Sequence, residues 1–299
     1  MNGILLINKP QGFTSFDVIA KLRGILKIKR LGHAGTLDPM ATGVLPVFVG
    51  KATRACDIIP NNEKSYTADF KLGVITDTQD STGTVLQSFE KKSCSADIIS
   101  VLDDFRGEIK QLPPMYSAVS VNGQRLYDLA RQGIEVERQP RTITIDKIEL
   151  QSFNEESQTG RLFISCSKGT YIRTIIHDIG QKLSTGGIMT GLVRNSSSGF
   201  KLDECFTLEQ MQDMKEKGTL QQALIPIDRA FESYDEIHLS DVQTRMYKNG
   251  IKLDLNRVKH NTDKDIFRVY SHDNIFLGIA RAERERMELV CDKNFFENQ

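Results

Sequence analysis

Gly32 to Gly43, GHAGTLDPMATG, carries three glycines and a proline and sustains neither a helical nor a strand period. Glycine reaches positive φ without a Cβ penalty and proline withholds a backbone donor, so an ordered loop is predicted here rather than a regular element. Its flanks are regular. Gly3 to Ile7 is an apolar run ended by Asn8-Lys9-Pro10-Gln11-Gly12, the pattern of a buried strand entering a turn. Val18, Ile19, Leu22, Ile25 and Leu26 repeat at helical spacing behind a cap at Thr14 or Ser15, and Val44 to Val49 reads as a strand. The loop therefore joins a helix to a strand.

Beyond it the pattern predicts a short helix from Lys51, a strand from Tyr66 (YTADFKLGV), a polar loop from Thr76 to Gly83 and a strand through Val85. Ser95 to Phe105 reads as a helix. Between Met115 and Ile145 a hairpin-like SAVSVNGQRLY, a short helix around Leu126 to Arg131 and an arginine-rich return suggest a projecting loop. RLFISCS alternates as a strand from Arg161, and Ile172, Ile175, Ile176, Ile179 and Leu183 form one face of a helix. From about Asp235 short strands and turns predict a small β-rich domain. Strands and helices without a regular βαβ alternation imply an α+β fold with an antiparallel or mixed sheet, divided as residues 1–234 and 235–299.

Lys plus Arg and Asp plus Glu both total 39, so net charge argues neither for nor against a polyanionic partner. Its distribution says more. Lys21, Arg23, Lys27, Lys29 and Arg30 stand together without an acid, and Arg161 to Lys201 holds six basic residues against Asp178 alone; both stretches are candidates for a positive face, although most charge runs are solvated surface. The cysteines are widely spaced without a C-x-x-C pair and the histidines form no cluster with them, so no structural metal is expected. With no leader-like N-terminus and no apolar run long enough to span a bilayer, a protein of the reducing cytoplasm is expected.

Asp38 is the first candidate for chemistry. Asp-Pro alone is a turn signal, but here it shares a glycine-rich loop with His33 and lies near basic residues. A phosphate-binding loop ending at Gly50-Lys51 fails on spacing, since Leu45 and Ala52 stand where a glycine and a hydroxyl are needed. Tyr66 and Tyr171 read either as half-buried sheet aromatics or as platforms for an unstacked base. Arg173 reads either as a surface cation or as the partner of a buried carboxylate.

GHAGTLDPMATGVLP resembles the signature of the bacterial tRNA pseudouridine synthase B family, which modifies uridine-55 of the tRNA T-loop. INKPQGFTS, KSYTADFKLGVITDTQDSTG, PPMYSAVSVNGQRLYDLARQG and CSKGTYIRTIIHDIG join it in family order across nearly all of the first 200 residues. The resemblance implies a cofactor-free isomerase with a pseudouridine-synthase-type, largely antiparallel sheet and a PUA-like C-terminal domain. Asp38 would be the nucleophile, Arg173 its ion-pair partner and Tyr66 the surface on which the target uracil stacks. Tyr171 and Leu192 would line the pocket, Lys9 and Pro10 would support the catalytic loop, and His33 would insert into the T-loop. Residues 115–145 match an RNA-gripping thumb, and a monomer acting on the tRNA T-arm, with no metal and no membrane, is expected. Val193 and Asn195 depart from the family's usual arginine and threonine, and the C-terminal match is weak, covering little beyond Tyr247 to Gly250. The competing readings are a non-catalytic tRNA-binding or chaperone protein and an RNA N-glycosidase.

Overall fold

Local capping sets the first boundaries. In a computed structural model describing residues 1–61, 63–121, 123–260 and 262–296, strand β1 (Gly3–Lys9) turns into helix α1 (Ser15–Leu26). Thr14 caps this helix, accepting from the Asp17 N–H at 3.0 Å while Asp17 accepts from the Thr14 N–H at 2.8 Å. That reciprocal pair satisfies two of the donors a helix start leaves orphaned. Lys27, at φ 58°, ends the helix in the left-handed region. Short β2 (Leu31–His33) and β3 (Thr42–Val49) follow, so both ends of the predicted Gly32 to Gly43 loop belong to strands and the irregular part lies between them.

Next come β4 (Lys64–Leu72), a hairpin of β5 (Val74–Thr76) and β6 (Val85–Ser88), α2 (Ser95–Leu102) and β7 (Gly107–Gln111). The segment that follows contains a small hairpin, β8 (Ser120–Val121) and β9 (Gln124–Arg125), and then α3 (Leu126–Arg131); Asn122 lies outside the described residues. β10 (Arg141–Asn154) and β11 (Thr159–Cys166) form a long antiparallel pair, and α4 (Ile172–Leu183) leads into β12 (Gly187–Ser197) and β13 (Phe200–Lys201). The predicted projecting segment is therefore shorter than expected, because residues 141–145 pair with β7 inside the sheet.

The main sheet runs β1-β3-β12-β4-β11-β10-β7, with β2 and β13 on its margins. Every pairing in it is antiparallel except β3 with β12, where Thr42 faces Val193 and Gly43 faces Arg194. One core packs α2 and α4 onto β4, β10, β11 and β12; a second packs α1 and α5 (Leu208–Glu216) onto β1 and β3.

A five-stranded sheet closes the C-terminal part. It contains β14 (Asp235–His238), β15 (Leu253–Asp254), β16 (Ile266–Tyr270), β17 (Phe276–Glu283) and β18 (Glu288–Asn294), with α6 (Asp241–Lys248) beside it. Phe231, Phe276 and Phe295 pack with centroid separations of 5.6–6.4 Å, so the two sheets share a third core. The α+β class holds, and the C-terminal part is β-rich, with one α-helix among its described residues that the sequence pattern did not reveal.

Candidate active site

The loop between β2 and β3 carries Asp38 and is fastened from three sides. Lys9, at the end of β1 and fully buried, donates through Nζ to the carbonyls of Pro10 at 2.9 Å, Phe13 at 2.5 Å and Pro39 at 3.3 Å. Ser15, in the first turn of α1, accepts the Leu37 N–H at 2.9 Å. From β12, fully buried Arg194 donates Nε to the Val44 carbonyl at 2.7 Å and a terminal nitrogen to the Gly35 carbonyl at 3.0 Å. Gly43, at φ +107°, allows this closeness: a Cβ there would lie 2.3 Å from the Arg194 carbonyl oxygen.

Arg173, in the first turn of α4 and buried, reaches the loop from the opposite side. Its Nε stands 2.9 Å from Asp38 Oδ2 and a terminal nitrogen donates to Oδ1 at 3.3 Å. The same guanidinium donates to the carbonyls of Thr78 at 3.0 Å and Tyr116 at 2.9 Å and lies 3.6 Å from Asp80 Oδ2. Asp80 is itself gripped by Thr78 and Thr82 hydroxyls and the Thr82 N–H. One planar cation thus ties together the Asp38 loop, the β5–β6 hairpin and the segment after β7.

Burial in this cleft pushes the Asp38 carboxyl above its ordinary value of 3.8; Arg173 draws it back, and the second carboxylate of Asp80 works against that. With 36% of its side chain exposed, the carboxylate remains reachable from solvent. Tyr66 is buried on β4 with its phenol beside Arg194, and burial raises its pKa above the ordinary tyrosine value, so the ring is neutral. Leu192 belongs to the same core cluster as Leu37, Ala41 and Tyr66.

Tyr171 sits two residues before Arg173, where Gln111 brackets its backbone: the Tyr171 N–H donates to Oε1 at 2.8 Å and Nε2 donates to its carbonyl at 3.0 Å. Pro10 stands half-buried at the turn after Lys9. His33 lies at the end of β2 with a buried Nδ1 that has no hydrogen-bond partner among the described residues, and burial beside Arg194 lowers its pKa. No group of three or more His, Cys, Asp or Glu side chains among the described residues is placed to hold a metal.

Arg173, Tyr66 and Lys9 are thus gathered around the Asp38 carboxylate. Three contributors were not singled out as site residues in the sequence. Asp80 was visible only as part of a longer motif, Gln111 had no local signal, and Arg194 stood inside the departing Leu192-Val193-Arg194-Asn195 segment. At the departing positions, Val193 is half-buried and paired with Thr42, and Asn195 donates to the Thr67 hydroxyl at 2.9 Å. In the second basic stretch Arg173 and Arg194 are buried, Arg161 and Lys182 are exposed but paired with Asp69 and Asp104, and Lys168 and Lys201 are exposed.

The family model described as "TruB family pseudouridylate synthase (N terminal domain)" matches residues 23–172, and that described as "tRNA pseudouridylate synthase B C-terminal domain" matches residues 173–232. The chain belongs to the TruB pseudouridylate synthase family. A tRNA pseudouridine synthase B of Clostridium tetani is 42% identical over 295 residues, covering 97% of this chain and 99% of the relative. The corresponding Bacillus velezensis protein is 44% identical over 260 residues, covering 85% and 84%. Among solved structures, a Cbf5-Nop10-Gar1 complex matches with a TM-score of 0.77 at 27% identity, covering 98% of this chain and 85% of that one. An H/ACA RNP bound to a substrate RNA containing 2'-deoxyuridine matches with a TM-score of 0.75 at 25% identity, covering 99% and 85%. The TruB family is thus matched by sequence along nearly the whole chain.

Proposed function

We propose that this chain isomerises uridine-55 in the T-loop of tRNA to pseudouridine, with Asp38 as the nucleophile. The observation that carries the reading is the partly exposed Asp38 carboxylate held 2.9 Å from the buried Arg173 guanidinium, with Tyr66 close by. The reaction breaks the bond between ribose and uracil nitrogen, turns the base and rejoins it through a ring carbon, with no net gain or loss of atoms. An ionised carboxylate serves either by attacking the anomeric carbon or by helping to form a glycal, and each course splits one hard exchange into smaller steps. Arg173 opposes the desolvation that favours the neutral acid.

The target base is hidden in the folded T-loop, so it must be everted at a cost of a few kcal/mol. Stacking on Tyr66, worth about 1–3 kcal/mol, offsets much of this. Tyr171 and Leu192 are assigned to the pocket wall, His33 to the T-loop and Lys9 with Pro10 to support of the catalytic loop. Residues 115–145, apart from the sheet-paired 141–145, are assigned to gripping RNA, residues 1–234 to catalysis and residues 235–299 to a PUA-like RNA-binding role.

The test is to incubate the purified protein with T-arm RNA and no cofactor, then map pseudouridine. Pseudouridine at position 55 is expected from the native protein, while Asp38→Asn binds the RNA and makes none. Release of free uracil, or an active Asp38→Asn protein, overturns the assignment.

A further inference from the structure

Lys64 opens β4 two residues before Tyr66, so both side chains leave the same face of the sheet about 7 Å apart along the strand. Its ammonium lies 3.0 Å from where a Cβ on Gly35 would stand, and an Arg194 terminal nitrogen lies 3.3 Å from that same point. Gly35, at φ +74°, carries no side chain to fill the gap. Two cations therefore converge on the loop three residues ahead of Asp38. Exposed Lys168 adds a third positive charge to the surroundings of Lys64.

None of this charge is neutralised locally. Among the described residues Lys64 makes no hydrogen bond or ion pair to a carboxylate or carbonyl, and Arg194 spends its donors on backbone carbonyls and the neutral Tyr66 phenol. The Cys166 thiol, across the ladder from Lys64, is pushed up to about 11 by burial and is no counter-ion at neutral pH. Burial, with Arg194 and Lys168 nearby, lowers the Lys64 ammonium to about 8. A half-buried cation without an anion is costly to the free protein. A ligand that brings the anion removes that cost.

We propose that Lys64, backed by Arg194 and Lys168, is the seat of one RNA backbone phosphate, the phosphodiester flanking the everted target nucleotide. This rests on the function proposed above. A base on Tyr66 and a ribose at Asp38 direct the adjoining backbone toward the neighbouring position on the same strand face, where Lys64 stands. Asp38 and Asp80 are both engaged by Arg173, leaving Lys64 free to meet the phosphate charge.

The test compares the full-length protein with Lys64→Met and Lys64→Arg, on natural T-arm RNA and on two RNAs that each carry one neutral methylphosphonate, 5′ or 3′ of the target nucleotide. Lys64→Met is expected to bind natural RNA about tenfold more weakly at low salt. Its log–log salt slope should be shallower by about 0.7–0.9, one phosphate contact. One of the two methylphosphonates should weaken the native protein by a similar factor and leave Lys64→Met unaffected, the non-additivity of groups that touch each other. Lys64→Arg should retain most of the binding. A native salt slope in Lys64→Met, or losses that multiply with both methylphosphonates, overturns the seat.

Circular dichroism and a thermal melt check folding, and Lys64→Gln carries the same comparison if the methionine variant does not fold. Pseudouridine is mapped in parallel with the native protein on natural RNA. Failure there withdraws the function itself, whereas failure of the coupling in an enzyme that makes pseudouridine withdraws only the phosphate seat.

Discussion

At Arg173 two carboxylates and two backbone carbonyls meet a single guanidinium. A lysine there keeps the charge but can neither bridge Asp38 with two nitrogens nor hold Thr78 and Tyr116 together. Arg173→Lys is therefore expected to lower single-turnover pseudouridine formation by about 100-fold or more while RNA affinity in filter binding changes little. Asp38 supplies a second prediction. Its folded-state pKa is raised above 3.8, so the folded protein releases this proton less readily than the unfolded chain. Stability is therefore lost as pH rises from the unfolded value through the folded one, and ionised Asp38 remains a cost at neutral pH. Asp38→Asn should melt at a higher temperature at pH 7, with the advantage disappearing below the ordinary carboxylate range. The acidic limb of kcat/KM should lie above that range for the same reason. Asp38 was legible in the sequence because a Gly- and Pro-rich loop announces itself locally. Arg194 was not, because its burial against Val44 and Gly35 joins residues about 150 positions apart.

The elements read most easily were those with one strongly apolar face. α1 and α4 bury Val18, Ile19, Leu22 and Ile175, Ile176, Ile179 at helical spacing, and both appear where the period placed them. α5 buries only Leu208 and Met211, too few to declare a period, and α6 buries only Thr244 and Tyr247. β10 was obscured because much of its length is exposed and polar, so its first residues resembled the end of a loop. At the junction of β3 and β12, Gly43→Ala would force a Cβ into the Arg194 backbone at a strained positive φ. A loss of about 3 kcal/mol or more in urea unfolding is expected, together with loss of activity as the catalytic loop shifts. Thr14→Ala removes only the α1 cap and should cost about 1 kcal/mol by the same measurement.

Across the whole molecule a net charge of zero conceals an uneven surface. Lys21, Arg23, Lys27, Lys29 and Arg30 are all exposed on and just beyond α1. Replacing Lys21 and Lys27 together with glutamine is expected to reduce the slope of log affinity for T-arm RNA against log salt by about 1–2, with turnover at saturating RNA unchanged. The hydrogen bonds that fix the Asp38 loop have a different consequence. Lys9, Ser15 and Arg194 secure it from β1, α1 and β12 before any RNA is present. If the reaction takes place at Asp38 as proposed, the protein side of the encounter is pre-fastened there, and adaptation falls to the nucleic acid. Discrimination among RNAs would then depend on how readily each yields its nucleotide: a stiff loop can dock tightly and still be a poor substrate, while a pliant one is converted quickly.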